Sequence, residues 1–413
     1  MPDNKTILII GTFDTKSDEL AYLADCITAQ GGAVATMDVS VLGDPPEPVD
    51  VSKHEVAKAA GSSIEAAIAS GDENSAMQIM AAGSSKLTAE LYLAGKVDAM
   101  IALGGTMGTD LALDCARALP MGVPKYIVST VSFSPLIPAE RLAADVQMIL
   151  WAGGLYGLNS VCKSSLSQAA GAVLGAARAV EAPARNRPLI GMTSLGSSCL
   201  SYMKSLKPEL ERRGFELAIF HSTGMGGRAF ESLAAEGAFA CVMDFCMQEF
   251  TNGVHGSVVS SGADRLTNAG RSAIPQIVAP GASDLVDLPE WGGVPDKWKD
   301  RPYHAHNRLI GSVAISPDER RLTARRMGEA LAQAEGLVHV ILPLGGIEEW
   351  DKPGEPAHDP EGLAAFVDEM RRSIRPPVRM TEIDAHINDP AFADKALEIL
   401  DGWLADGTVK KTV

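Results

Sequence analysis

The sequence predicts an α/β protein built from two tandem Rossmann-like domains, each with a mainly parallel β-sheet and flanking helices. Two segments of the 413-residue chain, 7–27 and 97–119, have the pattern of a buried strand, a glycine turn and an apolar helix. The same pattern restarts after a polar, proline-bearing stretch at residues 181–188. We therefore expect an N-terminal nucleotide-binding domain over residues 1–184 and a C-terminal α/β domain over residues 185–413.

The first strand and its turn define the expected binding edge of the N-terminal domain. Residues 7–10 are all isoleucine or leucine, which is typical of a strand buried on both faces of a parallel sheet. Gly11 ends the strand, and we expect Thr15 to cap the next helix, with Asp18 in the place of a capping-box Glu. The turn lacks the full dinucleotide and Walker patterns, but its N–H groups, hydroxyls and single lysine suit a phosphate. The alternative is that the glycine serves only the bend and the threonine only the cap.

A second and richer glycine turn follows the predicted strand 97–103. Its three glycines let a backbone approach a ligand closely, and its threonines add hydroxyl donors. Because the carboxyl ends of parallel strands share one sheet edge, we expect the two turns to meet at a phosphate or nucleotide site. Asp38, near the end of the second strand, is placed either to bond a ribose hydroxyl or to be a solvated or capping acid.

The other segments complete the two α/β patterns. In the N-terminal half, strands are predicted at 33–41 and 125–131, and helices at 53–82, interrupted at Gly61 and Gly71, at 86–94, and at 139–180 with a break near 153–157. In the C-terminal half, strands are predicted at 189–193, 215–220, 238–245, 276–279, 337–344 and 378–387. Helices there are predicted to begin at Pro317, Pro360 and Pro390, each after a capping residue.

The C-terminal half carries the denser polar chemistry. His221 precedes a glycine-rich turn that enters a helix, which is again an arrangement suited to an anion. The acid/base candidates, which follow predicted strands or lie in loops, are His221, Glu249, Asp284 and His306. The candidates for binding a substrate, with the arginine as an anion clamp, are Gly226, Gly227, Arg228 and Asn307.

Two further groups of polar residues allow alternatives. His304 and His306 stand two residues apart, so on an extended strand they would face the same side and could bind a metal. Loop histidines are more commonly hydrogen-bond partners, and because no H-E-x-x-H pattern is present we assign no metal ligand. The acidic loop at Glu348, Glu349 and Asp351 could activate water, but a solvated loop is the common outcome for such a run.

Composition narrows the classes of partner. The formal net charge is −16, and no dense Lys/Arg stripe is present, so a nucleic-acid partner is not expected. The most apolar long stretch, residues 142–158, is interrupted by polar residues and glycines and is too short to span a membrane. The six cysteines are scattered, without a C-x-x-C pair or a secretory signal, which suits a reduced cytoplasmic protein.

Six ordered motifs across nearly the whole chain resemble one family. They are residues 11–16 (GTFDTK), 104–109 (GGTMGT), 220–228 (FHSTGMGGR), 280–284 (PGASD), 306–307 (HN) and 387–392 (INDPAF). The chain resembles bacterial members of the uncharacterised family that includes the plant tobamovirus-resistance protein, an inhibitor of viral replication. This resemblance implies two Rossmann-like domains, ATP binding in the N-terminal one, and a dimer. Carried onto this chain, the nucleotide contacts would be Gly11, Thr12, Asp14, Thr15, Gly104, Gly105, Thr106 and Thr109.

These observations lead to one main functional expectation and two alternatives. The main expectation is a cytoplasmic, homodimeric ATP-binding protein, with Mg²⁺ accompanying the nucleotide. If it is an enzyme, we expect it to act on a small phosphorylated or carboxylated metabolite. One alternative is a non-catalytic interaction protein whose dimerisation or partner binding is regulated by ATP. The other is a metal-dependent hydrolase that uses the histidines of the second domain. Whether the protein is an enzyme is left open.

Overall fold

The structure is a computed structural model that describes residues 4–151, 153–181, 183, 186–196, 198–199 and 201–411. Residues 1–183 form one compact unit, and residues 184–413 form a second. Each unit contains a parallel sheet with flanking helices, which confirms the predicted fold class. In the part of the chain described, no helix has both the length and the apolar character that crossing a membrane requires.

The first unit is a doubly wound domain around a five-stranded sheet. Its strands are β1 (Thr6–Gly11), β2 (Ala33–Asp38), β3 (Ala99–Gly104), β4 (Lys125–Ser129) and β5 (Gln147–Leu150). Its helices are α1 (Ser17–Ala29), α2 (Lys53–Ala59), α3 (Ile64–Ala69), α4 (Glu73–Leu93), α5 (Thr106–Arg117) and α6 (Ser160–Ala179), with a 3₁₀ turn at Ala139–Arg141. The strands are parallel and lie in the order β2-β1-β3-β4-β5.

Burial of β1 on both faces is confirmed. Ile7 and Ile9 pack with α1 and α6 in one core, whereas Leu8 and Ile10 pack with α2, α4 and α5 in the other. All four side chains are at most 1% exposed. Alternate residues of a strand point to opposite faces, so an uninterrupted run of aliphatic residues is what a sheet covered on both sides needs.

Two predictions about the N-terminal half are wrong. Residues 139–180 do not form one broken helix, because β5 pairs with β4 from Tyr126 to Ser129 and α6 begins only at Ser160. Strand pairing there outweighs the local apolar pattern, a common tertiary override of periodicity. Thr15 does not cap α1: the N-cap is Lys16, and the Thr15 hydroxyl instead lies 3.1 Å from that of Thr12.

The helices between β2 and β3 are interrupted at the two predicted glycines, but the predicted break before the helix at 86–94 is absent. Gly61 and Gly71 have positive φ angles of 74° and 80° and separate α2, α3 and α4, as expected. However, α4 runs without interruption through Gly83. A Cβ at Gly83 would lie 1.9 Å from the carbonyl oxygen of Val56, so this glycine allows α2 and α4 to pack closely.

The second unit repeats the doubly wound order and adds a small antiparallel sheet. Its strands are β6 (Leu189–Ser194), β7 (Glu216–His221), β8 (Cys241–Cys246), β9 (Gln276–Gly281), β10 (Leu285–Pro289), β11 (Tyr303–Ala305), β12 (Ile310–Ala314), β13 (Val338–Pro343) and β14 (Arg379–Ile383). Its helices are α7 (Ser201–Arg212), α8 (Met225–Ala235), α9 (Gln248–His255), α10 (Asn268–Arg271), α11 (Pro317–Leu331), α12 (Pro360–Ser373) and α13 (Pro390–Ala405), with 3₁₀ turns at Glu290–Gly292, Asp296–Trp298 and Glu349–Asp351. The large sheet has the order β14-β13-β9-β8-β6-β7, and its strands are parallel.

The predicted helix starts at Pro317, Pro360 and Pro390 are confirmed. Ser316 and Glu319 form a reciprocal capping box at the start of α11. The antiparallel sheet, in the order β10-β12-β11, lies in the chain between β9 and α11 and was not predicted. It matters for function because it carries polar side chains to the carboxyl edge of the large sheet.

Candidate functional site

The glycine turns of the first unit lie where the winding of its sheet reverses. Helix α1, which follows β1, packs on one face of the sheet, and α5, which follows β3, packs on the other. Because β1 and β3 are neighbours, their carboxyl ends form a topological switch point. Open α/β sheets bind ligands in the crevice at such a point, here between the turns that follow Gly11 and Gly104.

Two adjoining cavities open at this edge. One, of about 430 Å³, is lined in part by Thr12, Asp14 and Thr15, and the other, of about 360 Å³, by Thr106 and Thr109. Their linings share three residues: Glu73, Met77 and Met107. Together the cavities have the size of a small-molecule site. Five of the eight predicted nucleotide contacts therefore come together here.

The three glycines among the predicted nucleotide contacts do not line the cavities. Their lack of a side chain affects the local backbone packing instead. A Cβ on Gly11 would lie 2.8 Å from the side chain of Leu20, and one on Gly104 would lie 2.7 Å from the Cα of Gly108. These two glycines allow the following helices to pack tightly against the strand ends. Gly105 is the N-cap residue of α5, and a Cβ there would meet only the Thr130 hydroxyl, at 3.8 Å.

The first turn is a poorer anion site than expected, because the N–H groups of residues 13–16 are already used. The N–H of Phe13 donates to Asp38 and that of Asp14 to the Ser40 hydroxyl, at 3.1 and 3.2 Å. The next two N–H groups, at residues 15 and 16, donate to the carbonyl oxygen of Thr12. Helix α1 also has two acids in its first turn, which oppose a second anion.

Asp38 has the capping role that was one of its expected alternatives, and it does not line either cavity. It is fully buried, and its Oδ1 accepts hydrogen bonds from the N–H of Phe13 and from the N–H of Ser40. The carboxylate therefore fixes the first turn and the loop after β2 against each other.

The second turn keeps the features of an anion site. Helix α5 begins at Thr106 with no side-chain cap and no acid in its first turn. The first N–H groups of a helix have no intrahelical acceptor, and here they belong to Thr106, Met107 and Gly108. Thr106 is exposed, whereas Thr109 is buried with its hydroxyl 2.6 Å from that of Ser129. Thr109 thus anchors the helix to β4, and Thr106 carries the hydroxyl that faces solvent.

Asp14 offers an unused carboxylate oxygen beside the larger cavity. Its Oδ2 accepts a hydrogen bond from the N–H of Gly43 at 3.1 Å, whereas its Oδ1 is buried and has no hydrogen-bond partner among the described residues. Such an orphan oxygen is costly unless a ligand, water or cation satisfies it. The donor suits Mg²⁺, which usually takes one or two protein carboxylates together with phosphate oxygens.

In the second unit, the structure brings two of the four acid/base candidates together. His221, at the end of β7, and His306, after β11, line a small cavity of about 60 Å³ at the carboxyl edge of the sheet. Partial burial of the imidazole and the positive charge of His306 lower the pKa of His221. The His221 Nδ1 accepts a hydrogen bond from the N–H of Gly196 at 3.3 Å, so the neutral ring carries its proton on Nε2.

The expected anion site at the start of α8 is already filled by the protein. The carboxylate of Glu249 accepts hydrogen bonds from the N–H groups of Gly224 and Gly227, at 2.6 and 2.9 Å. A Cβ on Gly227 would lie 1.8 Å from that carboxylate, and one on Gly226 would lie 1.9 Å from the carbonyl oxygen of His221. Gly226, Gly227 and Glu249 therefore form an internal helix cap, not a substrate site or a catalytic base.

Arg228 is likewise engaged within the protein. The guanidinium is buried and pairs with Asp264 at 2.6 Å, so the expected anion clamp already holds a carboxylate. Asn307 shapes the turn between β11 and β12, because its Oδ1 accepts hydrogen bonds from the N–H groups of Leu309 and Ile310. These two residues are placed by the fold for structural roles.

Glu249, which caps α8, also belongs to a buried network of ion pairs. Arg265 is 2% exposed and pairs with Asp244 at 2.5 Å, with Glu249 at 3.3 Å and with Glu231 at 3.4 Å. Burial raises the pKa of Glu231 and of Glu249 to about 7, and the Arg265 charge opposes that rise. One guanidinium thus balances three carboxylates and ties α8, β8 and α9 together.

Asp284 and the acidic loop form a second buried group, which corrects the expected solvated loop. Glu348 is fully buried, and burial together with the charges of Asp284 and Asp351 raises its pKa to about 9. Burial also raises the pKa of Asp284 to about 6, although the charge of Arg320 opposes this. Neither carboxyl lines the His221 cavity, so Asp284 is not placed to act on a ligand there.

The metal alternative gains no support. The rings of His304 and His306 are 6.3 Å apart, and His304 packs on Trp350 with ring centroids 4.2 Å apart. Among the described residues, no group of three or more His, Cys, Asp or Glu side chains could hold a metal ion.

Among the residues that line the His221 cavity, Asp287, Ser312 and Trp350 were not named as candidates from the sequence. Asp287 is 3% exposed and accepts hydrogen bonds from the Ser312 hydroxyl at 2.6 Å and from the side chain of Gln248 at 3.0 Å. The one signal for it was an aspartate inside the apolar run 285–289, which a buried polar role would explain.

The fold and the two edges define a two-domain protein with doubly wound parallel sheets and cavities at the carboxyl edge of each. The chain belongs to the uncharacterised protein family UPF0261: the N-terminal domain of that family matches residues 5–182, and the C-terminal domain matches residues 187–404.

Relatives extend along nearly the whole chain. A UPF0261 protein of Brucella melitensis is 58% identical over 405 residues, covering 98% of this chain and 97% of the relative. One of Clostridium tetani is 33% identical over 394 residues, covering 94% and 96%. The ToMV susceptible protein tm-1 of Solanum lycopersicum is 28% identical over 423 residues, covering 95% of this chain but 55% of the tomato protein. The predicted family resemblance is confirmed.

Solved structures are only distantly similar. MurG of Acinetobacter baumannii is 10% identical, covers 96% of this chain and 99% of its own, and gives a TM-score of 0.21. A Streptomyces glycosyltransferase complexed with thymidine diphosphate is 14% identical, covers 68% and 83%, and gives a TM-score of 0.18. At these scores the similarity carries no argument about function.

Proposed function

We propose that the N-terminal unit binds ATP together with Mg²⁺, with the phosphates against the start of α5. The observation that carries this proposal is the uncapped start of α5, which lies beside a cavity at the topological switch point of the sheet. A helix start with free N–H groups and no acid favours an anion through both hydrogen bonds and the helix dipole. The family resemblance, which implies ATP, agrees with this chemistry.

The described residues fit a magnesium–nucleotide complex. The N–H groups of Thr106, Met107 and Gly108 and the Thr106 hydroxyl would hold phosphate oxygens, and the orphan Oδ1 of Asp14 would take the cation. The proposal thus differs from the expectation of two equivalent turns. The second turn binds phosphate, and the first contributes Thr12, Asp14 and Thr15 as cavity wall and cation ligand.

Location and assembly remain predictions. All six cysteines are free, in keeping with the cytoplasmic location expected from their scattered positions. The homodimer implied by the family resemblance is best checked by light scattering with and without MgATP. The same measurement addresses the alternative of an interaction protein regulated by ATP, which requires the oligomeric state to change with nucleotide.

The test is calorimetric titration of MgATP into wild type, Thr106→Glu and Thr106→Gln. Thr106 is exposed at the first position of α5, so the glutamate adds a charge that the helix dipole accepts but that repels phosphate. Two unit charges about 5 Å apart repel by roughly 1–3 kcal/mol, depending on screening, so we expect about tenfold weaker binding or more. Glutamine has the same size without the charge and serves as the matched control.

Equal affinities for the glutamate and glutamine variants would overturn the assignment of phosphate to α5. Absence of MgATP binding to wild type would overturn the proposed function itself. Phosphate released in the same samples separates an enzyme that cleaves ATP from a protein that only binds it.

A further inference from the structure

The cavity of the second unit lies at the carboxyl edge of the large sheet, where the ends of the neighbouring strands β6 and β7 meet the antiparallel sheet. The turn after β6 supplies Gly196 and Ser198, and the end of β7 supplies His221. The antiparallel sheet brings Ser312, on β12, and His306, in the turn between β11 and β12, to the same cavity.

Charge in this cavity favours an anionic end group. Its lining contains two imidazoles and one carboxylate, Asp287. Ser312, Gln248 and Asn252 donate hydrogen bonds to that carboxylate, so its oxygens are largely satisfied within the protein. Burial raises the pKa of Asp287. The imidazoles are the groups in the lining that can gain a proton and bind an anion.

No competing place for a substrate anion is left at the neighbouring turn. Glu249 fills the start of α8, and Asp264 holds the guanidinium of Arg228. An anionic substrate of this unit would therefore bind elsewhere, and the two histidines of the cavity can take up a proton when an anion binds.

The number of donors suits a carboxylate. The cavity is small, about 60 Å³, and its two imidazoles offer one donor for each of the two carboxylate oxygens. Trp350 and Ile310 supply apolar wall beside the polar groups, as small-molecule sites commonly require.

We infer that the second unit binds the carboxylate end of a small metabolite between His221 and His306, with uptake of a proton. The Nδ1 of His221 is held by the N–H of Gly196, so its Nε2 is the atom free to donate to the carboxylate. His306 supplies the second donor, and the rest of the metabolite extends out of the cavity. This inference is independent of the proposed nucleotide function, because it concerns residues of the other unit.

The pH dependence involves every titratable group at the cavity. These are His221, His306 and Asp287 in the lining, and His304, whose ring lies 6.3 Å from that of His306. A bound carboxylate replaces repulsion between the two lining imidazoles with attraction to both. Binding should therefore strengthen as the pH falls through the titration range of histidine, until the ligand itself becomes protonated.

The experiment is a proton NMR titration of His221 in the full-length protein, with and without acetate as the probe. His221→Gln assigns the resonance, and the expected result is that acetate raises the pKa of His221 by about one unit at saturation. His306→Gln should abolish this shift, and His306 is exposed, so the variant is expected to fold. His54→Gln, an exposed histidine of the other unit, is the matched control and should retain it.

Two results would overturn the inference. The first is a His221 titration that acetate leaves unchanged up to high millimolar concentration. The second is an undiminished acetate effect in the His306→Gln variant.

Discussion

Replacing Glu348 with glutamine should remove a large part of the pH dependence of folding in the second unit. Glu348 is fully buried, and its Oε1 has no hydrogen-bond partner in the part of the chain described. Burial and the charges of Asp284 and Asp351 raise its pKa from 4.5 to about 9. The folded unit therefore holds the neutral acid at pH 7, and an amide of the same shape preserves the packing.

The direction in which stability changes with pH follows from proton binding. A carboxyl whose pKa is raised by folding binds its proton more tightly in the folded state, so its contribution to stability is complete below pH 4.5. That contribution falls as the pH rises to about 9, by at most about 1.4 kcal/mol for each pH unit. Glutamine at this position cannot ionise. The free energy of unfolding of Glu348→Gln, relative to wild type, should therefore rise by up to about 1.4 kcal/mol for each pH unit.

Urea unfolding of both proteins at pH 5, 7 and 9 measures the difference. Glu349→Gln is the matched control on the same loop. Burial tends to raise the pKa of Glu349, but its bonds to Lys352 and Asn388 outweigh that and lower it, so it stays ionised throughout this range. The control should follow the wild-type slope. Parallel pH profiles for wild type and Glu348→Gln would refute the assignment of a buried neutral acid.

Two other substitutions test the packing around the sites. Gly104→Ala should lower the free energy of unfolding by about 1–3 kcal/mol, because its Cβ would meet the Gly108 backbone at 2.7 Å. The control Gly105→Ala should lower it by about 0.5 kcal/mol or less. Equal losses for the two variants in denaturant unfolding would contradict this prediction. Arg265→Met should lower the free energy of unfolding by about 3–5 kcal/mol, because its buried carboxylate partners lose their counter-charge. The control Arg271→Met, at an exposed position, should change it little. Comparable denaturation midpoints for the two variants would contradict this prediction.

The sheet and its turns could be predicted because their signals are local. The aliphatic run at 7–10 and the glycines that follow it need no distant partner to be recognised. The family motifs then placed Thr12, Asp14, Thr15, Thr106 and Thr109, which do line the adjoining cavities. That the two turns lie close together followed from the parallel topology of the sheet alone.

What could not be predicted depends on contacts between distant segments. Asp38 accepts the hydrogen bond of one donor of the first turn, the N–H of Phe13, from 25 residues away, and Glu249 reaches the start of α8 from 22 residues away. Both carboxylates look like ligand-binding acids in sequence, and packing turns them into internal caps. The buried state of Glu348 has the same origin, because an acidic run carries no signal of the elements that cover it.

The central claim is that the start of α5, and not that of α1, binds the nucleotide phosphates. Amide NMR of ¹⁵N-labelled protein titrated with MgATP measures this residue by residue. We predict that the largest shifts fall on the N–H groups of Thr106, Met107 and Gly108, with small shifts for residues 17–19 at the start of α1. Shifts concentrated at residues 17–19, or no shift at residues 106–108 under saturating MgATP, would contradict the account.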